Sequence, residues 1–180
     1  MRITTRAMFA LVLALTVATV GCKGSRLEGL VDAEGVVTLN GSPVEGATVI
    51  FAPKSYGEKS GSATATTDAQ GKFKLTTSQP GDGAYPGDYL VSVTKDRVEG
   101  VMSFEESARR AADPNGAGKE PAPEQSVVHE LPTKYGDINS SGLTVTLPAG
   151  GDKNIALALE GEVDLTPQKI GTSRGAGPGR

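Results

Sequence analysis

Apolar residues fall at every second position along most of this chain, and that period constrains the fold more than any other feature. Successive side chains of a β-strand point to opposite sides, so a strand buried on one face alternates apolar with polar residues. Val31, Ala33, Val37 and Leu39 share one parity, with Asp32, Glu34 and Thr38 on the other. The run 47–52 is apolar on both faces apart from Thr48, as befits a central strand. Ala63 and Ala65 alternate with threonines, and Lys72-Phe73-Lys74-Leu75-Thr76 is the cleanest alternation of all. Tyr89, Val91 and Val93 obey the same rule, as do Leu143, Val145 and Leu147 and then Ile155, Leu157 and Leu159. Asn40-Gly41-Ser42-Pro43 and Asp68-Ala69-Gln70-Gly71 supply turns, because Asn and Gly tolerate positive φ and Pro cannot join a central ladder. Seven short strands separated by turns are the pattern of an all-β sandwich. A chain of 180 residues is right for one such domain.

Three ordered segments carry a resemblance. Gly35-Val36-Val37, leading to Leu39-Asn40-Gly41-Ser42-Pro43-Val44-Glu45-Gly46-Ala47-Thr48-Val49, resembles the opening of a carboxypeptidase regulatory-like domain, V-x-x-x-G-x-P-V-x-G-A-x-V. Thr67-Asp68-Ala69-Gln70-Gly71-Lys72-Phe73 resembles the aspartate–glycine hairpin of that family. Tyr85-Pro86-Gly87-Asp88-Tyr89-Leu90-Val91-Ser92-Val93 resembles its P-G-x-Y-x-V-x-V element. The resemblance covers residues 28–95 and, more loosely, 143–160. It implies a seven-stranded prealbumin-like (transthyretin-like) β-sandwich over 28–160, in the layout of small bacterial lipoproteins that carry this domain alone. It implies no peptidase activity, since fold does not dictate function.

The N-terminus reads as an address. Arg2 and Arg6 precede an uncharged run over residues 7–20, too short to span a bilayer as a helix, which needs about 20 residues. A basic start followed by such a run is the pattern of a secretory signal peptide, here residues 1–21. Thr19-Val20-Gly21-Cys22 resembles the bacterial lipobox, which implies diacylation of Cys22 and a tether over 22–27. The other reading is ordinary cleavage after Thr16-Val17-Ala18, leaving Cys22 as a free thiol. Acylation is preferred because a lone thiol in an oxidising compartment otherwise needs an explanation. Loss of Arg2 and Arg6 lowers the formal charge from −3 to −5, so no polybasic patch assists attachment and the acyl chains act alone. In the sorting pattern common to bacterial lipoproteins, Lys23 after the cysteine favours the outer membrane, placing the protein in the periplasm or at the cell surface.

Between Lys95 and Leu143 the alternation stops, which marks an insert over 96–142. Ser103-Phe104-Glu105-Glu106 has capping-box spacing and predicts a short helix to about Ala112. Residues 117–125 are rich in Pro, Gly and Glu, a composition that predicts disorder. Residues 127–131 predict a short edge strand that Pro132 stops, and 161–180 reads as a disordered tail.

Composition narrows the chemistry. The negative charge leaves no basic footprint for nucleic acid. One cysteine and one histidine exclude multi-cysteine and His-cluster metal sites, so no metal or cofactor is expected. His129 is the single general-base candidate, and no neighbouring sequence supports a triad. Glu105 and Glu106 are adjacent on a helix and point apart. Asp82 and Asp88 offer oxygens for calcium without EF-hand spacing, and turn use is the simpler account. Gly81-Asp82-Gly83 lacks the G-K-[ST] of a phosphate loop. Tyr56, Tyr85 and Tyr135 lie outside the strands and are the candidate ligand contacts, through stacking on sugar rings. The expectation is a membrane-anchored, non-catalytic module of the bacterial envelope acting through protein–protein or structural contacts. The alternative is a carbohydrate-binding module for envelope or extracellular polysaccharide.

Overall fold

Each alternating run becomes a strand. The computed structural model describes residues 27–112 and 123–170. The expected signal peptide, Cys22, the tether to residue 26, residues 113–122 of the insert and residues 171–180 of the tail lie outside them. In chain order the strands are β1 (Ala33–Leu39), β2 (Ser42–Pro43), β3 (Thr48–Pro53), β4 (Ala63–Thr66), β5 (Lys72–Lys74), β6 (Gly87–Thr94) and β7 (Asp96–Glu99). Helix α1 (Phe104–Ala112) precedes β8 (Ser126–His129), a 3-10 turn (Thr133–Tyr135), β9 (Leu143–Leu147), β10 (Asp152–Leu159) and β11 (Gln168–Lys169).

Two sheets face one another. In the first, β1 is central, with β10 parallel to it on one side and the short strands β2 and β5 antiparallel on the other. The second is antiparallel, in the order β4-β3-β6-β9. Their inner faces merge into one core. Ala33, Val37, Phe73, Leu157 and Leu159 come from the first sheet, and Val49, Phe51, Tyr89, Val91, Val93 and Leu147 from the second. The Phe51 ring sits between two others, 6.2 Å from Phe73 and 5.6 Å from Tyr89 by centroids, both tilted. Run 47–52 is central in its sheet as expected, yet Ile50 is only half-buried while Val49 and Phe51 are fully enclosed. One face of β3 therefore looks outward despite its apolar composition.

Two glycines are required by their surroundings. A Cβ on Gly35 would lie 2.3 Å from the Ile155 carbonyl oxygen and 2.6 Å from the Phe73 ring, so the closest approach of β1 to β10 admits no side chain. Gly71 closes the β4–β5 turn at φ +72°, a left-handed conformation that glycine adopts without steric cost. Asp68 Oδ1 accepts from the amides of Gln70 (2.9 Å) and Lys72 (2.8 Å), which are the bonds that turn chemistry predicts.

The insert and tail differ from expectation. Residues 96–99 form a strand, β7, that pairs with β8 in a hairpin, Asp96 opposite His129 and Glu99 opposite Ser126. Instead of forming an edge, β8 is the middle of a third sheet, because β11 from the supposed tail pairs with its far side. Val128, Leu131, Tyr135 and Ser141 are buried, so the second half of the insert is part of the folded body. The first half matches the capping prediction. Ser103 Oγ accepts from the Glu106 amide at 3.2 Å, and α1 follows, with no buried residue. The Glu106 carboxylate turns away from the cap to meet Arg110 at 3.1 Å and Arg109 at 3.9 Å.

Candidate functional site

Of the three tyrosines, two meet and one is withdrawn. Tyr56 lies in the loop after β3 and Tyr85 in the loop before β6, and both line a groove of about 260 Å³ with Lys54, Lys59, Pro86 and Asp88. Tyr56 is 78% exposed. Its loop is pinned by the Ser60 hydroxyl, which accepts from the Gly57 amide (2.7 Å) and donates to the Gly57 carbonyl (2.9 Å). Tyr85 is held from below, where the buried Tyr89 donates its hydroxyl to the Tyr85 carbonyl at 2.7 Å. Burial raises the Tyr89 phenol above its ordinary pKa, so it remains a neutral donor. Tyr135 is buried instead, its hydroxyl donating to the Glu160 carbonyl (3.1 Å) and accepting the Glu160 amide (2.9 Å). The Lys134 ammonium lies 4.6 Å from its ring centroid. Tyr135 fastens the insert to the end of β10 and presents no surface for stacking. Tyr135 ends the 3-10 turn Thr133–Tyr135 that follows Pro132, and no periodic pattern in the sequence marks it as core.

Asp82 is engaged by its own loop. Its carboxylate accepts from the amides of Thr77 (2.7 Å), Ser78 (3.1 Å) and Gln79 (2.9 Å) and from the Ser78 hydroxyl (2.8 Å). Burial pushes its pKa up, but these bonds outweigh burial and hold the group below the ordinary carboxylate value. Asp88 is occupied by the Thr146 hydroxyl across the β6–β9 pair. Among the described residues no group of three His, Cys, Asp or Glu side chains is placed to hold a metal ion.

The opposite end of β6 leads into the arm formed by β7, α1 and β8. At its base the Asp96 carboxylate accepts a hydrogen bond from His129 Nδ1 at 2.7 Å. The two sit at the mouth of a cleft of about 460 Å³ with Thr94, Thr133 and Gln168, floored by Val93 and Leu131. The partner of His129 lies 33 positions away, so no local pattern announced the pair. Glu130 beside it binds Lys95 (3.1 Å) and Arg97 (3.1 Å), and these cations, Lys95 first, hold its carboxyl below the usual range. Beyond the base the arm is open. Val98 is 48%, Val101 63% and Phe104 88% exposed. No residue between Arg97 and Ala112 is buried.

Residues 33–86 match the family model of a domain of unknown function, DUF6795. The match takes in β1 to β5, Tyr56, Tyr85 and the Asp82 loop, and it ends before the arm. No curated protein and no solved structure matches the chain.

Proposed function

We propose that this chain is a small bacterial lipoprotein, exported and acylated at Cys22. Its carboxypeptidase regulatory-like sandwich is non-catalytic and acts by presenting the arm to a partner protein of the envelope. One observation carries this reading: of the seven large apolar residues exposed among the described residues, three, Val98, Val101 and Phe104, fall within seven consecutive positions of the arm. Large apolar side chains grouped on an otherwise polar surface mark an interaction site more often than chance exposure. Loops and extensions on a rigid scaffold are also where proteins carry their contacts. The His129–Asp96 pair closes the base of the arm, which gives the single histidine a structural use. Lys23 favours the outer membrane as the anchoring bilayer.

A photo-crosslinking residue placed at position 104 in living cells should yield one discrete protein adduct. The same residue at position 158, on the exposed face of β10, should yield none. Absence of an adduct at 104, or equal labelling at both positions, would count against the arm as the contact surface. Intact mass of the membrane fraction should begin at Cys22 and include diacylglycerol, and a soluble species starting at residue 19 would sink the anchor. The carbohydrate-binding alternative retains two of its three tyrosines, because Tyr56 and Tyr85 share a groove. Glycan-array binding that disappears in Tyr56→Ala and Tyr85→Ala would support it.

A further inference from the structure

The groove of Tyr56 and Tyr85 lies where the chain enters the sandwich. A Cβ on Gly29 would stand 3.5 Å from Lys59 Cδ and 3.7 Å from the Tyr85 ring, so the first described residues run along the groove wall. Leu27, two residues earlier, is 43% exposed at the same end. Five Cα–Cα steps separate Leu27 from Cys22, and even fully extended they reach only about 17 Å. An acyl group on Cys22 therefore keeps this end of the body within headgroup range of the bilayer. The arm leaves from the other end of β6, whose seven steps from Gly87 to Thr94 span about 23 Å.

We propose that the Tyr56–Tyr85 groove is the membrane-facing surface of the protein, seated on phospholipid headgroups, with the arm projecting away from the bilayer. This rests on the acylation of Cys22 proposed above. The groove's chemistry fits that occupant. Tyrosine has an apolar ring and a polar tip, and it concentrates at the membrane–water interface for that reason. Lysines place their apolar stems along such a surface and their ammonium groups in the headgroup layer. Lys54 and Lys59 are exposed on the groove, opposed by Asp88 in its lining and by the exposed Glu28 and Glu58 nearby in sequence. That near-balance of sign suits a zwitterionic headgroup, phosphate beside a lysine and ammonium beside a carboxylate, better than a strongly anionic one. A free saccharide offers the tyrosines the same stacking faces but gives no account of why the groove adjoins the start of the body.

The chain has no tryptophan, so one introduced residue reports alone. Tyr56→Trp and, separately, Phe104→Trp are made in the full protein, purified from membranes and reconstituted in phosphatidylethanolamine–phosphatidylglycerol vesicles bearing nitroxide at the headgroup. Emission from Tyr56→Trp should be largely lost to the nitroxide and shift to the blue, while Phe104→Trp remains unquenched. Equal quenching at both positions, or none at position 56, overturns the proposal. So does an emission change at 56 that follows soluble oligosaccharide and not vesicles. Intact mass read on the same samples reports acylation separately. Where the mass shows no acyl group, the full chain coupled through Cys22, its only cysteine, to a maleimide lipid repeats the quenching measurement. Loss of emission at 56 alone then upholds the groove although the acylation reading has failed, and its absence overturns the groove as well.

Discussion

Asp82 shows how one carboxylate can organise an end of the sandwich. Its bonds to Thr77, Ser78 and Gln79 hold the loop between β5 and β6, which also brings Ala84 into its bridge with Val31. Burial raises the pKa of this carboxyl, but the hydrogen bonds from Thr77, Gln79 and Ser78 outweigh it and hold the group below its ordinary value. A group depressed in this way adds stability that is present above the unfolded-state value and is lost as pH falls through the native one. Thermal midpoints of the natural protein should therefore decline below about pH 4. Asp82→Asn should cost about 1.5–3 kcal/mol at neutral pH, the usual worth of hydrogen bonds to a charged group, and should flatten that acid decline. Parallel pH profiles for the two proteins would show that another carboxylate governs acid unfolding. Phe73 tests the core in the same way. It lies between Lys72 and Lys74, which face solvent, and its ring meets Phe51 and the backbone beside Gly35. Phe73→Ala should cost about 3–5 kcal/mol by denaturant unfolding, as truncation of buried aromatics does. An unchanged midpoint would place the ring outside the core.

At the scale of elements, the arm and its root have different duties. The described part of residues 97–126 holds no buried side chain, whereas 127–142 supplies Val128, Leu131 and Tyr135. Replacing 97–126 by a short Gly-Ser linker should leave a cooperative unfolding transition close to that of the natural protein, and loss of that transition would make the arm part of the core. Tyr135→Phe removes both hydroxyl bonds to Glu160 and should cost about 1–2 kcal/mol, two bonds at the net worth of a typical hydrogen bond. Tyr135→Ala should cost several times as much. The same division explains what could be read in advance. Strands β1, β3 to β6, β9 and β10 were legible because burial on one face writes itself into every second residue, as in Tyr89, Val91 and Val93. Strand β7 was not, since its Asp-Arg-Val-Glu is solvated on both faces, and Gln168–Lys169 is too short to show any period. Tyr56 and Tyr85 stand outside the alternating runs, but their convergence depends on two loops meeting, which alternation does not encode. The His129–Asp96 pair follows from hairpin register across the whole arm.

Across the whole molecule, β6 acts as an axis between two ends of different character. Gly87 and Asp88 border the groove beside the start of the body, and Val93 and Thr94 border the cleft from which the arm departs. With Cys22 acylated as proposed, a short tether would convert that internal polarity into an orientation relative to the bilayer, because it would set the local concentration of headgroups at the groove. Lengthening the tether should therefore undo the orientation without releasing the protein. Insertion of about 20 Gly and Ser residues after Arg26 adds a root-mean-square reach near 25 Å, comparable to the length of β6 itself. Nitroxide quenching at Tyr56→Trp should then fall while the protein still co-sediments with vesicles, since its attachment at Cys22 is untouched. Phe104→Trp should stay unquenched in both forms if the arm avoids the surface. Undiminished quenching at position 56 would mean that the tyrosines and lysines of the groove hold headgroups by their own affinity. The orientation would then belong to the surface of the sandwich, and the short tether would be incidental to it.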